Sequence, residues 1–283
     1  MKNDFYRSML VAMAIQLIPT VVLADSFHLF NPVPKEKMRD FATDRPDRTE
    51  SPITVDAGHF QIETDFIVMN QDKTTVAGQE IKTSGFGVMV SNLKAGLTDN
   101  IDFQVVLTPY VTGKESVNGV DTQDLSGFGD TTLRLKWNLI GNNEGDFSFG
   151  LMPFMTLPTS SGGMGHKKIE AGLIAPFGLS LPNEWEMGGM FQYNRAKNDS
   201  DDVFHHEYVT SLTMGHSVYG DFDGYVEFWN QISSELDSKW EATLDFGLLY
   251  HVAKDVQLDA GVNIGITEAT DDLNPFLGIS ARF

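Results

Sequence analysis

The ionisable residues of this chain recur at alternate positions of otherwise apolar runs. Glu63 and Asp65 alternate with Ile62, Thr64 and Phe66, and Arg134 and Lys136 with Leu133, Leu135 and Trp137. Glu227, Asp245 and Arg282 sit in runs of the same kind. A period of two is a strand period, so the polar side chains share one face and the apolar ones the other. On the inner face of a closed sheet, charges of both signs can pair and fill the space, or line a polar path for a solute. The candidate lumen residues are therefore Glu63, Asp65, Arg134, Lys136, Glu227, Asp245 and Arg282.

Arrangements that would support catalysis or metal binding fail on spacing. Ser160 to Lys168 has the glycines of a phosphate loop without its GxxxxGK[ST] order and lies between strands, as an external loop would. Asp199, Asp201 and Asp202 with His205, His206 and Glu207 lack the spaced ligands of a calcium loop and read as a solvated acidic loop. His216 and Ser217 are neighbours on a strand, so their side chains point to opposite faces and cannot form a dyad. The reading is that of a non-enzyme with no cofactor and no metal site.

The elements that would position the charges are strands of alternating polarity over 58–69, 85–97, 101–112, 129–140, 146–157, 169–181, 185–195, 205–218, 221–231, 239–252, 256–266 and 274–283. Twelve is an even number, as bacterial single-chain barrels require. Short links such as 98–100, 182–183, 219–220 and 253–255 alternate with long ones at 70–84, 113–128, 158–168, 196–204, 232–238 and 267–273. Short periplasmic turns and longer external loops give that rhythm. Trp185 and Tyr193 share the apolar face of one strand, and Trp240 and Tyr250 that of another. Eight to ten residues at ~3.4 Å each, tilted by ~40°, climb ~21 to 26 Å, which matches an apolar band edged by aromatic girdles. The predicted fold is all-β, a single antiparallel transmembrane barrel of about twelve strands over 58–283.

The ends and the charge agree with a bacterial outer-membrane address. Lys2 and Arg7 precede the apolar run Met9 to Leu23, and Val22-Leu23-Ala24 has the form of a cleavage site, so 1–24 reads as a secretory signal peptide. Without it, 18 basic and 38 acidic residues leave a net charge of −20, which excludes electrostatic binding to nucleic acid. The absence of cysteine excludes a disulfide framework and thiolate metal sites. The chain ends on an alternating strand whose last residue is Phe283; in a closed barrel it would pair with the first strand and leave no edge. A terminal aromatic strand also resembles the signal read by the barrel-assembly machinery, an expected partner alongside membrane lipid and lipopolysaccharide. Residues 25–57 contain Pro32, Pro34, Pro46 and Pro52 and room for a helical turn over 35–41. This leader would either lie in the lumen as a plug or trail as a periplasmic tail, and composition does not choose between them.

From Thr43 to Glu63 the sequence TDRPDRTESPITVDAGHFQIE resembles the N-terminal signature of the outer-membrane transporters called the MetA-pathway of phenol degradation family. Gly96-Leu97-Thr98-Asp99, Gly127-Phe128-Gly129-Asp130 and Leu157-Pro158-Thr159 are similar to further landmarks of that family. The resemblance implies an outer-membrane barrel that passes small compounds, aromatic or hydrophobic ones among them. Asp44, Arg45, Asp47 and Glu50 are the leader groups best able to lock against lumen charges such as Arg134 and Lys136. The rival reading is a structural or adhesive barrel whose external loops carry binding.

Overall fold

The computed structural model describes residues 27–143, 145–198 and 203–283. The segment read as a signal peptide and the acidic run 199–202 lie outside the described residues. The strand segments are β1 (Phe60–Val76), β2 (Gln79–Thr98), β3 (Ile101–Leu107), β4 (Tyr110–Val117), β5 (Val120–Gly127), β6 (Thr131–Ile140), β7 (Phe147–Leu157), β8 (Glu170–Leu181), β9 (Trp185–Lys197), β10 (Phe204–Tyr219), β11 (Phe222–Ser233), β12 (Glu241–Ala253), β13 (Val256–Gly265) and β14 (Leu273–Arg282). β3 and β4 lie end to end along β2, and β5 and β6 continue them on the other side. The first break falls at Thr108-Pro109, where proline has no N–H for the ladder. Taken as continuous staves these segments make a twelve-stranded antiparallel barrel, closed because β1 pairs with both β2 and β14.

The closing register sets Gln61 opposite Arg282 and Glu63 opposite Ser280, with Phe60 and Phe283 exchanging backbone hydrogen bonds at the rim. The closed ring leaves β1, β14 and β2 paired on both sides, which is what a hydrocarbon solvent demands, while β5 pairs with β4 alone. Burial is inverted relative to a water-soluble protein. Leu244, Phe246, Leu248, Tyr250 and Val252 of β12 and its end are exposed on the outside, while Gln61, Glu63, Lys94, Asp102, Gln104, Lys136, Glu227 and Asp245 are buried inside. No helix among the described residues is long and apolar enough to cross a membrane.

Two of the expected long links are instead strand. Residues 70–84 form the top of the β1–β2 hairpin, which turns at Ala77-Gly78 (φ 51° and 82°), and 113–128 form β4–β5, which turns at Asn118-Gly119 (φ 50° and 79°). Both pairs have the two positive φ values that let a two-residue turn follow the twist of the strands. Above the membrane both faces of these strands meet water, so no alternation of polarity marks them.

Candidate functional site: an occupied lumen

The barrel interior is occupied by the leader. It begins at the short-turn end, where Lys35–Lys37 make one 3-10 turn. His59 ties it to the barrel seam, its Nε2 2.7 Å from the carbonyl of Val33 and its Nδ1 2.9 Å from the carbonyl of Phe283. Arg39 donates to Asp56 at 3.0 Å, and Asp56 in turn accepts from Arg282 at 2.9 Å. Arg282 also reaches Asp255 at 2.5 Å. The rising limb enters at Ala42, turns over at 46–50, and descends through Pro52, Thr54 and Val55 to the start of β1.

Each limb is fixed by side chains that β-strand alternation turns inward. Asp44 accepts from Lys94 of β2 and Lys136 of β6, both at 2.5 Å, and Lys94 also donates to Glu63 of β1. The two lysine side chains are 2% and 1% exposed. Burial opposes ionisation of Asp44, yet the two ammonium groups outweigh it and hold the carboxyl well below the usual carboxylate range. Arg45 bridges Asp65 at 2.6 Å and Asp259 at 2.5 Å, seated over Gly278, where a Cβ would lie 2.3 Å from its Nη2. A side chain at 278 would also meet the Thr64 carbonyl of β1 at 2.6 Å, so glycine is required there by the neighbouring strand as well as by the seated Arg45. Glu50 meets Arg134 at 2.6 Å. The descending limb is held through single hydrogen bonds without an ion pair: Asn138 donates to the Pro52 carbonyl at 2.9 Å, Asn142 to Thr54 Oγ1 at 2.8 Å, and the Val55 N–H to Asp102 at 3.0 Å.

Asp47 behaves differently from its neighbours and forms no ion pair with a cation among the described residues. Burial raises its pKa well above the carboxylate range, and the charge of Glu227 adds to that, while a hydrogen bond with Thr213 opposes it. Glu227 accepts the N–H of Arg48 at 2.8 Å and the hydroxyl of Thr49, which also lies 2.5 Å from Ser211 Oγ. The Arg48 guanidinium lies over the ring of Trp229, 3.4 Å from its centroid. Asp245 stands beside Glu227 in the β11–β12 register and is fully buried. All the lumen candidates named from sequence face inward, Glu63, Asp65 and Lys136 against the leader limbs, Arg134, Glu227 and Asp245 at the leader tip, and Arg282 at the rim.

What sequence reading missed lies opposite the charged wall. Met152 of β7, Ile174 of β8, Met190 of β9, Val209 of β10 and Trp229 of β11 form a buried apolar cluster facing inward, with Phe154 packed against it. Met152 pairs with Ile174 and Ser211 with Trp229, so the cluster crosses five consecutive strands as one band beside the leader tip. Its signal was present in the sequence: Phe147 to Leu157 and Gly172 to Leu179 are apolar at both parities, which a strand with a watery lumen face would not be. Below the band, a cavity of about 630 Å³ opens at the short-turn end between the leader and the wall, lined among others by Asp47, Thr49, Glu50, Thr213 and Tyr225.

A family model described as "Putative MetA-pathway of phenol degradation" matches residues 43–283. No curated protein matches the chain in sequence. Among solved structures the chain is similar to the NanC porin, at 10% identity and TM-score 0.46, over 76% of this chain and 98% of that one. It is similar to the translocator domain of the autotransporter NalP from Neisseria meningitidis, at 11% identity and TM-score 0.49, over 80% and 88%. It is also similar to the Ralstonia pickettii toluene transporter TbuX, at 9% identity and TM-score 0.43, over 80% and 89%.

Proposed function

Because the chain belongs to this phenol-degradation family of outer-membrane barrels, we propose that it passes small, weakly polar organic compounds, aromatic ones among them, between the exterior and the periplasm. It would reach the membrane by way of the periplasm and the barrel-assembly machinery, with the short-turn end and the cavity facing the periplasm. The observation that carries the reading is the inward apolar band of Met152, Phe154, Ile174, Met190, Val209 and Trp229. A lumen kept only for filling could be closed by paired charges, as the opposite wall is; a stretch without hydrogen-bonding groups disfavours water and ions and costs an apolar solute little. The leader tip forms the other side of this constriction. Passage therefore requires residues 46–50 to move, after which the solute enters the periplasmic cavity.

Uptake into liposomes with a panel of phenols, sugars and organic ions tests the proposal. Small uncharged aromatics should enter several-fold faster than sugars of equal size. Val209→Asn, which wets the band, should raise sugar and ion passage and reduce that discrimination. Equal rates for phenols and sugars, unchanged by Val209→Asn, would remove the band from the path. A barrel that works through external loops would leave all these solutes at the rate of empty vesicles.

A further inference from the structure

Arg48 sits on an aromatic face with buried carboxyl groups beside it. Its guanidinium sits closer to an aromatic ring than any other cation in the described residues, 3.4 Å against 4.1 to 5.6 Å. Among the described residues this side chain forms no ion pair; only its backbone N–H donates, to Glu227. The charges acting on the guanidinium are the carboxylates of Asp245, Glu227, Glu241 and Asp271. Asp245 is 0% exposed, with Thr243 and Glu227 as its side-chain neighbours and no hydrogen bond of ordinary geometry at either oxygen. An aromatic face, a buried carboxylate with free acceptors and a second carboxylate beside it are the parts of a site for an organic cation. The apolar band adjoins it through Trp229 itself.

We infer that this is a recognition site for a small organic cation with a flat apolar body, an aromatic amine or a guanidinium compound, and that Arg48 holds the site until such a solute displaces it. This rests on the permeation reading above and extends its solute class to cationic aromatics. The apolar body takes the place of the guanidinium on Trp229, and the ammonium donates to Asp245 and Glu227. A neutral aromatic can stack on the ring but leaves Asp245 without a donor. An anion is repelled by the carboxylates. Displacement frees the side chain of the leader tip from the wall, so binding and opening are linked.

The test reads binding and passage separately. With Trp137, Trp185 and Trp240 replaced by Phe, Trp229 is the single tryptophan of the full chain, and its fluorescence reports occupancy of its face. Benzylammonium should quench at least ten times more tightly than benzyl alcohol, and benzoate should not compete. Arg48→Gln, which removes the internal competitor, should tighten benzylammonium about tenfold, whereas the isosteric Asp245→Asn should weaken it by a similar factor. In the unsubstituted chain, where folding is not in question, benzylammonium should modulate ion current through the barrel and benzyl alcohol should not. Equal affinity for benzylammonium and benzyl alcohol, or weaker benzylammonium binding in Arg48→Gln, overturns the inference. If benzyl alcohol still crosses liposomes in that case, the permeation reading survives alone; if no solute crosses while benzylammonium binds as expected, the site stands and the permeation reading falls.

Discussion

Asp44→Asn should release the leader from the lumen. In the native chain Asp44 takes a proton donor from Lys94, another from Lys136 and the N–H of Ser51 at 3.0 Å. Loss of its charge leaves the two lysines in unequal positions. Lys94 keeps Glu63, but Lys136 keeps only the carbonyl of Ile53 at 3.3 Å as a hydrogen-bond partner, with Asp102, opposite it in the β3–β6 register, as its remaining carboxyl neighbour. A buried ammonium without a counter-charge costs about 3–5 kcal/mol. Asparagine retains an acceptor of the same shape and Asp102 still faces Lys136, so the lower figure is the ceiling, and ~3 kcal/mol is about two decades in the docking equilibrium. Trypsin cleavage after the leader arginines reads that population when reclosing is faster than cleavage. The expected result is about a hundredfold faster cleavage in folded, reconstituted barrels. Adding Lys136→Met removes the orphaned charge and should restore most of the protection. Cleavage of Asp44→Asn at the native rate, or no recovery in the double variant, would refute the account of the ion cluster as the lock.

Deleting Phe283 removes both backbone bonds to Phe60 and the carbonyl that faces His59, so the yield of folded barrel should drop before any transport defect is seen; a normal yield on heat-modified gel mobility counts against the seam argument. Leader docking should also depend on pH from both sides. Asp44, held below the carboxylate range by its lysines, contributes docking strength that is lost as pH falls through that lowered pKa; Asp47, raised by burial and Glu227, contributes strength that is lost as pH rises from the ordinary carboxylate value through its raised one. Leader proteolysis against pH should therefore pass through a minimum, and Asp47→Asn should flatten its upper limb; an upper limb unchanged in that variant sinks the assignment.

The twelve staves were legible because lipid outside and a polar filling inside impose opposite demands on successive residues. Trp240 to Val252, with the one exception of Leu249, and Val256 to Ile264 carry that alternation, and both lie where they were expected. Above the membrane the rule has no force, and the two hairpin tops read as loops although Asn118-Gly119 is a turn signal in its own right. The charged wall was legible for the same reason as the staves. The apolar band was not, because assigning one apolar face per strand sends every apolar residue of β7 and β8 to lipid. Trp229 is the sharpest case: it follows Phe228, and parity alone turns one of the pair inward.

The unequal grip on the leader says which part of it moves. The rising limb is held by buried ion pairs at Asp44 and Arg45, and the descending limb by four consecutive residues, Pro52 to Val55, in contact with Asn138, Lys136, Asn142 and Asp102. Breaking either set means leaving charges or backbone groups unpaired in a low-dielectric interior, at several kcal/mol each. The tip depends on Glu227, Ser211 and the contact of Glu50 with the more exposed Arg134. One of its own carboxylates, Asp47, is set against Glu227 and so works against docking as it ionises. Tip displacement with both limbs in place is thus the least costly opening, and it clears the side of the lumen where the apolar band and the cavity lie. A disulfide placed between the limbs and the wall should leave passage intact, whereas one that fixes residues 46–50 to β10 or β11 should stop it; passage abolished by the first and spared by the second would require withdrawal of the whole leader instead.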